Sequence, residues 1–375
     1  MILPAVTGLI IIAAVLWEAF ETVVLPRRVR RRFRITLVFY RATWIPWRTI
    51  ARRFSRTMAR ETFLSYYGPL SLLFLFGLWA LALILGFGLM YYGAESTVAA
   101  PRTLATCLYL SGTTMFTLGL GDVVPWTPIE RILAVSESGL GFGFLALVLS
   151  YLPVIYQAFS RREVNIVLLD ARAGSPPTAS ELLRRHTGPR GIEALEQLLH
   201  DWERSSAEIL ESHVSYPVLG YFRSQHNNES WLAALTAILD ASALLISSVE
   251  NPSLRQARLT FAMCRHTVVD LSQIFQRAPR SMPVDRLPAA DLDRMRTLLV
   301  HAGFELRDRE ASAKKLAELR AMYEPYLQAL AHYLSIELPP WILAQEITDN
   351  WRTSAWGRIT GFTASARQKT DDHSD

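Results

Sequence analysis

Hydrophobic residues are concentrated in three long blocks within the first 160 positions, and polar sequence separates each block from the next. The blocks cover residues 2–25, 63–92 and 129–159. Each is long enough to cross the roughly 30 Å hydrocarbon core of a bilayer as a helix. A shorter apolar stretch at residues 103–116 lies between the last two blocks and is too short to span. The pattern therefore predicts three transmembrane helices with a re-entrant helix between the second and third.

Beyond residue 160 the apolar positions change to the spacing of soluble amphipathic helices, with turn signals between them. The helical segments cover residues 191–211, 231–249, 254–275 and 311–334. We predict a helical cytoplasmic domain over residues 161–361 and a disordered tail over residues 362–375. The predicted fold class is an all-α membrane protein that carries this α-helical domain.

One segment of the predicted cytoplasmic domain, Trp231–Val249, is apolar enough to raise the question of a fourth span. Asp240 lies at its centre, and an aspartate there costs about 2.5–3.5 kcal/mol on the insertion scale. Small and hydroxyl-bearing residues dilute the hydrophobicity further. We therefore expect a buried helix of the soluble domain rather than a fourth span.

Arginines between the first two blocks determine the predicted orientation. Residues 27–60 contain twelve arginines and no acidic residue, whereas residues 93–128 contain one arginine and two acids. By the positive-inside rule, the arginine-rich loop is cytoplasmic. We predict an anchor at residues 1–26 with its N-terminus outside, a cytoplasmic or interfacial segment at residues 27–62, and a multi-pass protein of the plasma membrane.

The same arginine-rich segment accounts for the basic sequence pI. The chain has 39 lysines and arginines against 34 acids, and without those twelve arginines 27 basic residues remain. The charge therefore does not indicate nucleic acid. Aromatic residues interleave with arginines over residues 33–53, which predicts an interfacial helix on anionic lipid. The candidate lipid contacts are Arg30, Arg31 and Arg32, and a simple topological anchor is the alternative.

The sequence TTMFTLGLGD at residues 113–122 has the layout of a cation selectivity filter. Rings of backbone carbonyls can replace the water shell of a dehydrated ion. Pointing successive carbonyls to one side requires alternating backbone conformations, and glycine adopts positive φ at little cost. The predicted filter consists of Thr117, Leu118, Gly119, Leu120, Gly121 and Asp122. The first four of these are the predicted potassium ligands, and the carboxylate of Asp122 is placed at the outer mouth.

The segment from Cys107 to about Gly143 resembles the pore module of the potassium channel superfamily, in its bacterial two-helix form. Residues that match this pattern outside the filter are Ser111, Pro125, Thr127 and Arg131. The resemblance implies a pore module at residues 63–160 and a gating-hinge glycine at Gly141. It divides that module into an outer helix 63–92, a pore helix 103–116, the filter 117–122 and an inner helix 129–160.

The chain departs from the family pattern at several positions. The usual filter reads ThrValGlyTyrGlyAsp, whereas this one has Leu118 and Leu120, so the tyrosine hydroxyl that bonds to the surrounding pore helices is missing. Thr113 lies where some relatives have a carboxylate behind the filter. Glu137 lies two turns into the inner helix, where it is expected to brace the pore helix through Ser111 or Thr113, with an ion-facing position as the alternative.

The resemblance implies a potassium-selective channel subunit that conducts ions passively. Because a filter has four loops and the chain supplies one, it implies a homotetramer. Potassium is the permeant ion, and no other cofactor is expected. The alternatives are a nonselective cation channel and a membrane-anchored scaffold with a vestigial pore.

No arrangement of nucleophile, base and orienting group predicts an enzyme. No cytosolic partner or ligand, and no gating stimulus, can be read from the sequence. Histidines that titrate near neutral pH are candidate pH sensors, although scattered structural histidines are the simpler interpretation. They are His213, His226 and His332.

Overall fold

The chain is all-α in the part that the computed structural model describes. This part covers residues 2–25, 35–94, 102–225, 229–250, 255–281 and 284–343. It contains thirteen α-helices and, apart from one isolated bridge between Val249 and Leu306, no β-structure. The predicted fold class is confirmed. Arg30, Arg31, Arg32, His226 and the predicted tail at 362–375 lie outside the described residues.

The chain divides into two compact units, Met1–Phe159 and Ser160–Asp375. The helices of the first unit are α1 (Ile2–Ala19), continued by a π-helical turn at Phe20–Val24, α2 (Ile35–Ala51), α3 (Thr57–Ser65), α4 (Tyr67–Ala94), α5 (Leu104–Met115) and α6 (Pro128–Ala173). The boundary between the units falls inside α6. Three segments of this list are long and apolar enough to cross a membrane, namely Ile2–Val23, Thr57–Ala94 and Pro128–Ala173.

Helix α6 is longer than the inner helix that was predicted to end at residue 160. Its extension, residues 161–173, contains neither glycine nor proline, so nothing in the sequence interrupts the helix there. The helix ends at Ala173. The next residue, Gly174, has φ +84°, and its N–H donates to the carbonyl of Asp170 at 2.9 Å. A left-handed glycine after the last turn is a common helix stop.

Glycines allow α1 to pack closely against α4. A Cβ atom on Gly8 would lie 2.3 Å from the carbonyl oxygen of Gly86, and one on Gly93 would lie 2.7 Å from the Cβ of Ala5. Small residues at a helix–helix contact let the backbones approach, which is the main source of packing energy between helices in lipid. Helix α1 therefore packs directly against the outer helix of the predicted pore module.

Helix α2 places its aromatic residues against protein. The Trp44 ring is buried with its centroid 4.7 Å from that of Tyr67, and the Trp47 ring stacks on Phe63 at 4.5 Å. The large apolar side chains that α2 leaves exposed are instead aliphatic and include Ile45. The interfacial helix predicted for residues 33–53 thus has its described part in α2, with its tryptophans turned inward rather than toward lipid.

The second unit is a bundle of helices that includes the extension of α6. The others are α7 (Ala179–Arg185), α8 (Gly188–Ser215), α9 (Trp231–Ser248), α10 (Arg255–Ile274), α11 (Ala289–His301), α12 (Arg309–Ala321) and α13 (Glu324–Leu334), with a 3₁₀ turn at Pro217–Tyr221.

Helix α9 forms the centre of this bundle. It is the fourth helix with the length and hydropathy of a span, and each of its residues is buried within the protein. Asp240 accepts hydrogen bonds from Arg286 at 2.6 Å and from the Tyr323 hydroxyl at 2.6 Å. A buried charge needs partners of this kind. The burial accounts for the apolar composition of α9, in line with the expected buried helix.

The packing of α1 on α4 gives a testable prediction. Gly8→Ala should lower stability by about 1–3 kcal/mol, because the methyl group forces the two helix backbones apart. The midpoint of thermal unfolding of the purified chain in detergent measures this. The matched control is Gly77→Ala, since no heavy atom lies within 4 Å of a Cβ at Gly77. Equal midpoints for the two variants would contradict the close packing.

Candidate pore and selectivity filter

The predicted pore helix is α5, and its ends are defined by local hydrogen bonds. Thr103 caps the start of the helix, because its hydroxyl oxygen accepts from the N–H of Thr106 at 3.2 Å. Threonine is a favoured residue at this position, where the first N–H groups have no partner within the helix. The helix ends at Met115, directly before the candidate filter.

The candidate filter folds back onto the last carbonyls of α5. The N–H of Thr117 donates to the carbonyl of Thr114 at 3.0 Å, and the N–H of Leu118 donates to that of Thr113 at 2.8 Å. These carbonyls would otherwise be unpaired at a helix end. Thr113, predicted as a pore support, thus acts through its backbone, while its buried hydroxyl donates to the carbonyl of Leu110 at 2.9 Å.

Positive φ angles alternate along the candidate filter. Thr117 has φ +56°, Gly119 has φ +55° and Gly121 has φ +79°, while Leu118 and Leu120 are not in the positive-φ region. Sequence reasoning anticipated the two glycines but not Thr117. A non-glycine residue with positive φ is uncommon and points to a functional constraint. An alternation of this kind is what a row of carbonyls pointing to one side requires.

The two leucines of the candidate filter extend away from the rest of the chain. Leu118 is 62% exposed and Leu120 is 63% exposed. Leucine has no polar group to bond to α5, so its side chain can contribute only apolar contact. Large exposed apolar side chains of this kind are usually covered by another surface.

Asp122, at the end of the candidate filter, is held by the pore helix. The Tyr109 hydroxyl donates to its Oδ2 at 2.8 Å. The N–H of Val123 donates to Oδ1 at 3.1 Å. Sequence analysis did not single out Tyr109. The available signal was that Tyr109 is the single aromatic residue of α5.

Glu137, on α6, joins this helix to α4 and α5. Its carboxylate accepts from the Ser111 hydroxyl on α5 at 2.5 Å and from the Tyr91 hydroxyl on α4 at 2.9 Å. The glutamate is fully buried. The Ser111 oxygen also lies 2.9 Å from the carbonyl of Ile84, but its single proton serves one acceptor at a time. The structure brings Glu137 to Ser111, one of the two predicted partners, and not to an open cavity within the chain.

Gly141 on α6 lies against Met115, the last residue of α5. A Cβ atom there would lie 2.1 Å from the carbonyl oxygen of Met115. A similar approach joins Gly88 on α4 to Leu108 on α5, where a Cβ would lie 3.2 Å from the Leu108 Cα. Gly141 therefore has a packing role at the pore helix, and its role as a gating hinge stays a prediction.

The histidines considered as pH sensors differ in environment. His213 is buried, and burial together with the nearby Arg162 lowers its pKa to about 3. Its Nδ1 lies 2.8 Å from the carbonyl of Ile209 and therefore carries the proton. His213 stays neutral throughout the physiological range and is unsuited to sensing pH there. His332 is exposed.

Apart from the candidate filter, the described part of the chain contains no candidate metal site. No group of three or more histidine, cysteine, aspartate or glutamate side chains is placed to hold a metal ion there. Cys107 and Cys264 are both buried.

Comparison with known proteins identifies the class of this module. Residues 78–157 match a family model described as an ion channel. The match covers most of α4, all of α5, the candidate filter and the first part of α6. It confirms the resemblance to the pore-loop channel superfamily and indicates an ion channel. The match to this family also suggests a non-enzymatic protein and an oligomeric assembly.

The chain is also similar to the uncharacterized membrane protein YdjJ of Bacillus subtilis (strain 168). The two are 24% identical over 184 residues, which amount to 47% of this chain and 52% of the relative. The chain thus spans about half the length of the curated relative that it matches. No solved structure matches significantly.

The contacts of Glu137 give a second prediction. Glu137→Leu should destabilise the protein by about 1–3 kcal/mol, because it leaves the buried Tyr91 hydroxyl without its partner. Thermal unfolding in detergent measures the loss. Glu137→Gln, which keeps the shape and an acceptor oxygen, should be milder and should leave ion flux unchanged. If Glu137→Gln instead lowers flux at unchanged stability, the carboxylate faces the ions and the bracing role is wrong.

Proposed function

We propose that the chain is the subunit of a homotetrameric, potassium-selective channel whose filter is formed by four TLGLGD loops. Four copies would place the carbonyls of Thr117, Leu118, Gly119 and Leu120 in rings around one axis. Each ring would replace part of the hydration shell of a potassium ion. Ions would move passively from ring to ring, because binding at several neighbouring sites allows entry without trapping.

The observation that carries this proposal is the alternation of positive φ at Thr117, Gly119 and Gly121. An ordinary turn does not require positive φ at three alternate residues, one of them a threonine. A row of carbonyls on one side does require such alternation. The segment also follows directly from α5, whose C-terminal dipole end is negative and favours a cation nearby.

Exposed apolar residues support the assembly. Leu118 and Leu120 are mostly exposed in the single chain, and so are Phe142 and Leu149 on α6. Covering the leucines with the pore helices of neighbouring subunits would replace the missing tyrosine hydroxyl with apolar packing. In this arrangement the chain provides one quarter of the filter and is inactive alone.

A nonselective cation channel is the second candidate, and Leu120 favours it. The residue has no hydroxyl to bond to a pore helix, so the diameter of the carbonyl rings would depend on packing and on the ends of the loop. A wider or softer filter would discriminate less between potassium and sodium. Which of the two candidate functions applies therefore depends on how rigidly the loop is held.

The proposed orientation puts the filter loop outside and the second unit in the cytoplasm, in the plasma membrane. It rests on the twelve arginines of residues 27–60, which attract the anionic cytoplasmic leaflet. Arg30, Arg31 and Arg32 are the proposed lipid contacts. We assign the second unit to regulation of the pore and name no ligand or partner for it.

The experiment that tests this function is ion flux from proteoliposomes that contain the purified chain. With a potassium gradient we expect flux from the wild type and from Gly77→Val, and its loss in Gly119→Val. A β-branched residue cannot adopt the φ of +55° found at Gly119 without strain. Gly77 is the matched control, because a Cβ there meets no neighbouring atom.

The same vesicles separate the two candidates. Flux of potassium well above that of sodium supports the selective channel, and equal flux of both ions supports the nonselective one. Flux that persists in Gly119→Val would contradict a pathway through this segment. No flux from the wild type in either gradient would count against both candidates and favour a scaffold with a vestigial pore.

A further inference from the structure

Arg102 holds the loop that leaves the candidate filter. Arg102 precedes Thr103, the cap residue of α5. Its side chain makes three contacts with residues that follow the candidate filter in the chain. The guanidinium donates to the carbonyl of Val124 at 2.7 Å, lies 4.1 Å from the ring centre of Trp126 and pairs with Glu130 at 3.5 Å. One side chain thus links the start of α5 to the segment that follows the filter.

Glu130 connects this arginine to the start of the inner helix. Its carboxylate accepts from the N–H of Trp126 at 2.7 Å and from that of Thr127 at 3.3 Å, while the Thr127 hydroxyl oxygen accepts from the N–H of Glu130 at 3.2 Å. Such a reciprocal arrangement is a capping box, which fixes the angle at which the chain enters a helix. Glu130 therefore orients both the loop and α6.

The chemistry of Arg102 and Glu130 suits an ion pair that holds the loop permanently. The side chains of Arg102 and Glu130 are 7% and 3% exposed, so water and salt screen their interaction little. Arginine stays charged, and its planar group can stack on the indole while its N–H groups donate in the same plane. Lysine could supply the charge but not the stacked plane.

The segment that this pair holds is short. Only Val123–Thr127 lie between Asp122 and α6, so a shift of the loop moves the outer end of the filter with it. Two residues before Asp122, Leu120 offers no hydroxyl for anchoring this end of the filter. The outer end thus depends on Tyr109 at Asp122 and on the contacts of Arg102.

We propose that Arg102 is a positioning residue for the selectivity filter, acting with Glu130 and Trp126 to fix the outer ends of the carbonyl rings. This inference rests on the proposed function, since a filter must be present to be positioned. Arg102 does not contact ions. It sets how closely the carbonyl rings keep to the size that suits potassium.

The test uses hydrogen exchange of the full chain in lipid nanodiscs with KCl, together with potassium and sodium flux from proteoliposomes. Three variants are compared: Arg102→Gln, Arg102→Lys and Glu130→Gln. Glutamine at position 130 keeps the helix cap and removes the charge that pairs with Arg102. The control is Arg294→Gln, which removes an exposed arginine paired with Asp291 in the second unit.

We expect amide exchange over residues 123–127 to become about tenfold faster in Arg102→Gln, because charge-assisted hydrogen bonds that close the loop are lost. The ratio of potassium to sodium flux should fall about tenfold in the same variant. Arg102→Lys and Glu130→Gln should have smaller effects in the same direction, and Arg294→Gln should have none.

Unchanged exchange over residues 123–127 in Arg102→Gln would overturn the inference. So would faster exchange with an unchanged flux ratio, because the arginine would then hold the loop without affecting the filter. Failure of the proposed function is recognised separately, in the wild type. In that case the wild-type protein would show no flux, and its amide exchange at residues 119–122 would not slow when KCl replaces NaCl.

Discussion

The alternating backbone of residues 117–121 is the constraint on which the rest of the pore module depends. Positive φ at Thr117 costs of order 1–3 kcal/mol and persists only where the surroundings determine it. The surroundings here are specific. The last carbonyls of α5 bind the N–H groups of the segment from behind, Glu137 ties α5 to α4 and α6, and Gly141 lets α6 approach the carbonyl of Met115. Each support acts on the pore helix or on the loop rather than on an ion.

Local sequence patterns were sufficient for the three long apolar helices, for the short helix between the last two, and for the positive φ at Gly119 and Gly121. They did not predict α7 and α11, and the single helical segment predicted at residues 311–334 is divided into α12 and α13. Apolar blocks predict spans because every backbone polar group in a bilayer must be paired within the segment. The Glu137–Ser111 contact was also anticipated, since a carboxylate at that depth needs a partner. These predictions depend on properties of single residues and of their near neighbours in the chain.

Other features depend on contacts between distant residues and were not predicted. Tyr109 and Asp122 are 13 residues apart, Arg102 and Glu130 are 28 residues apart, and neither pair has a characteristic spacing. An interfacial helix was predicted from the aromatic residues and arginines of residues 33–53, but the stacking of Trp47 on Phe63 was not predicted. In the second unit, Asp240 and the small and hydroxyl-bearing residues of α9 predicted a buried helix rather than a span. The partners of Asp240, Arg286 and Tyr323, are 46 and 83 residues away in the sequence and were not predicted.

The central claim is that residues 117–120 bind potassium ions through rings of backbone carbonyls. Electron cryomicroscopy of the assembled protein, prepared in KCl and in NaCl, tests this most directly. The account predicts a fourfold assembly with ion density on the axis between the carbonyl rings of Thr117, Leu118, Gly119 and Leu120 in KCl, and weaker or altered density in NaCl. Carbonyls turned away from the axis, or an axis without ion density in KCl, would contradict it.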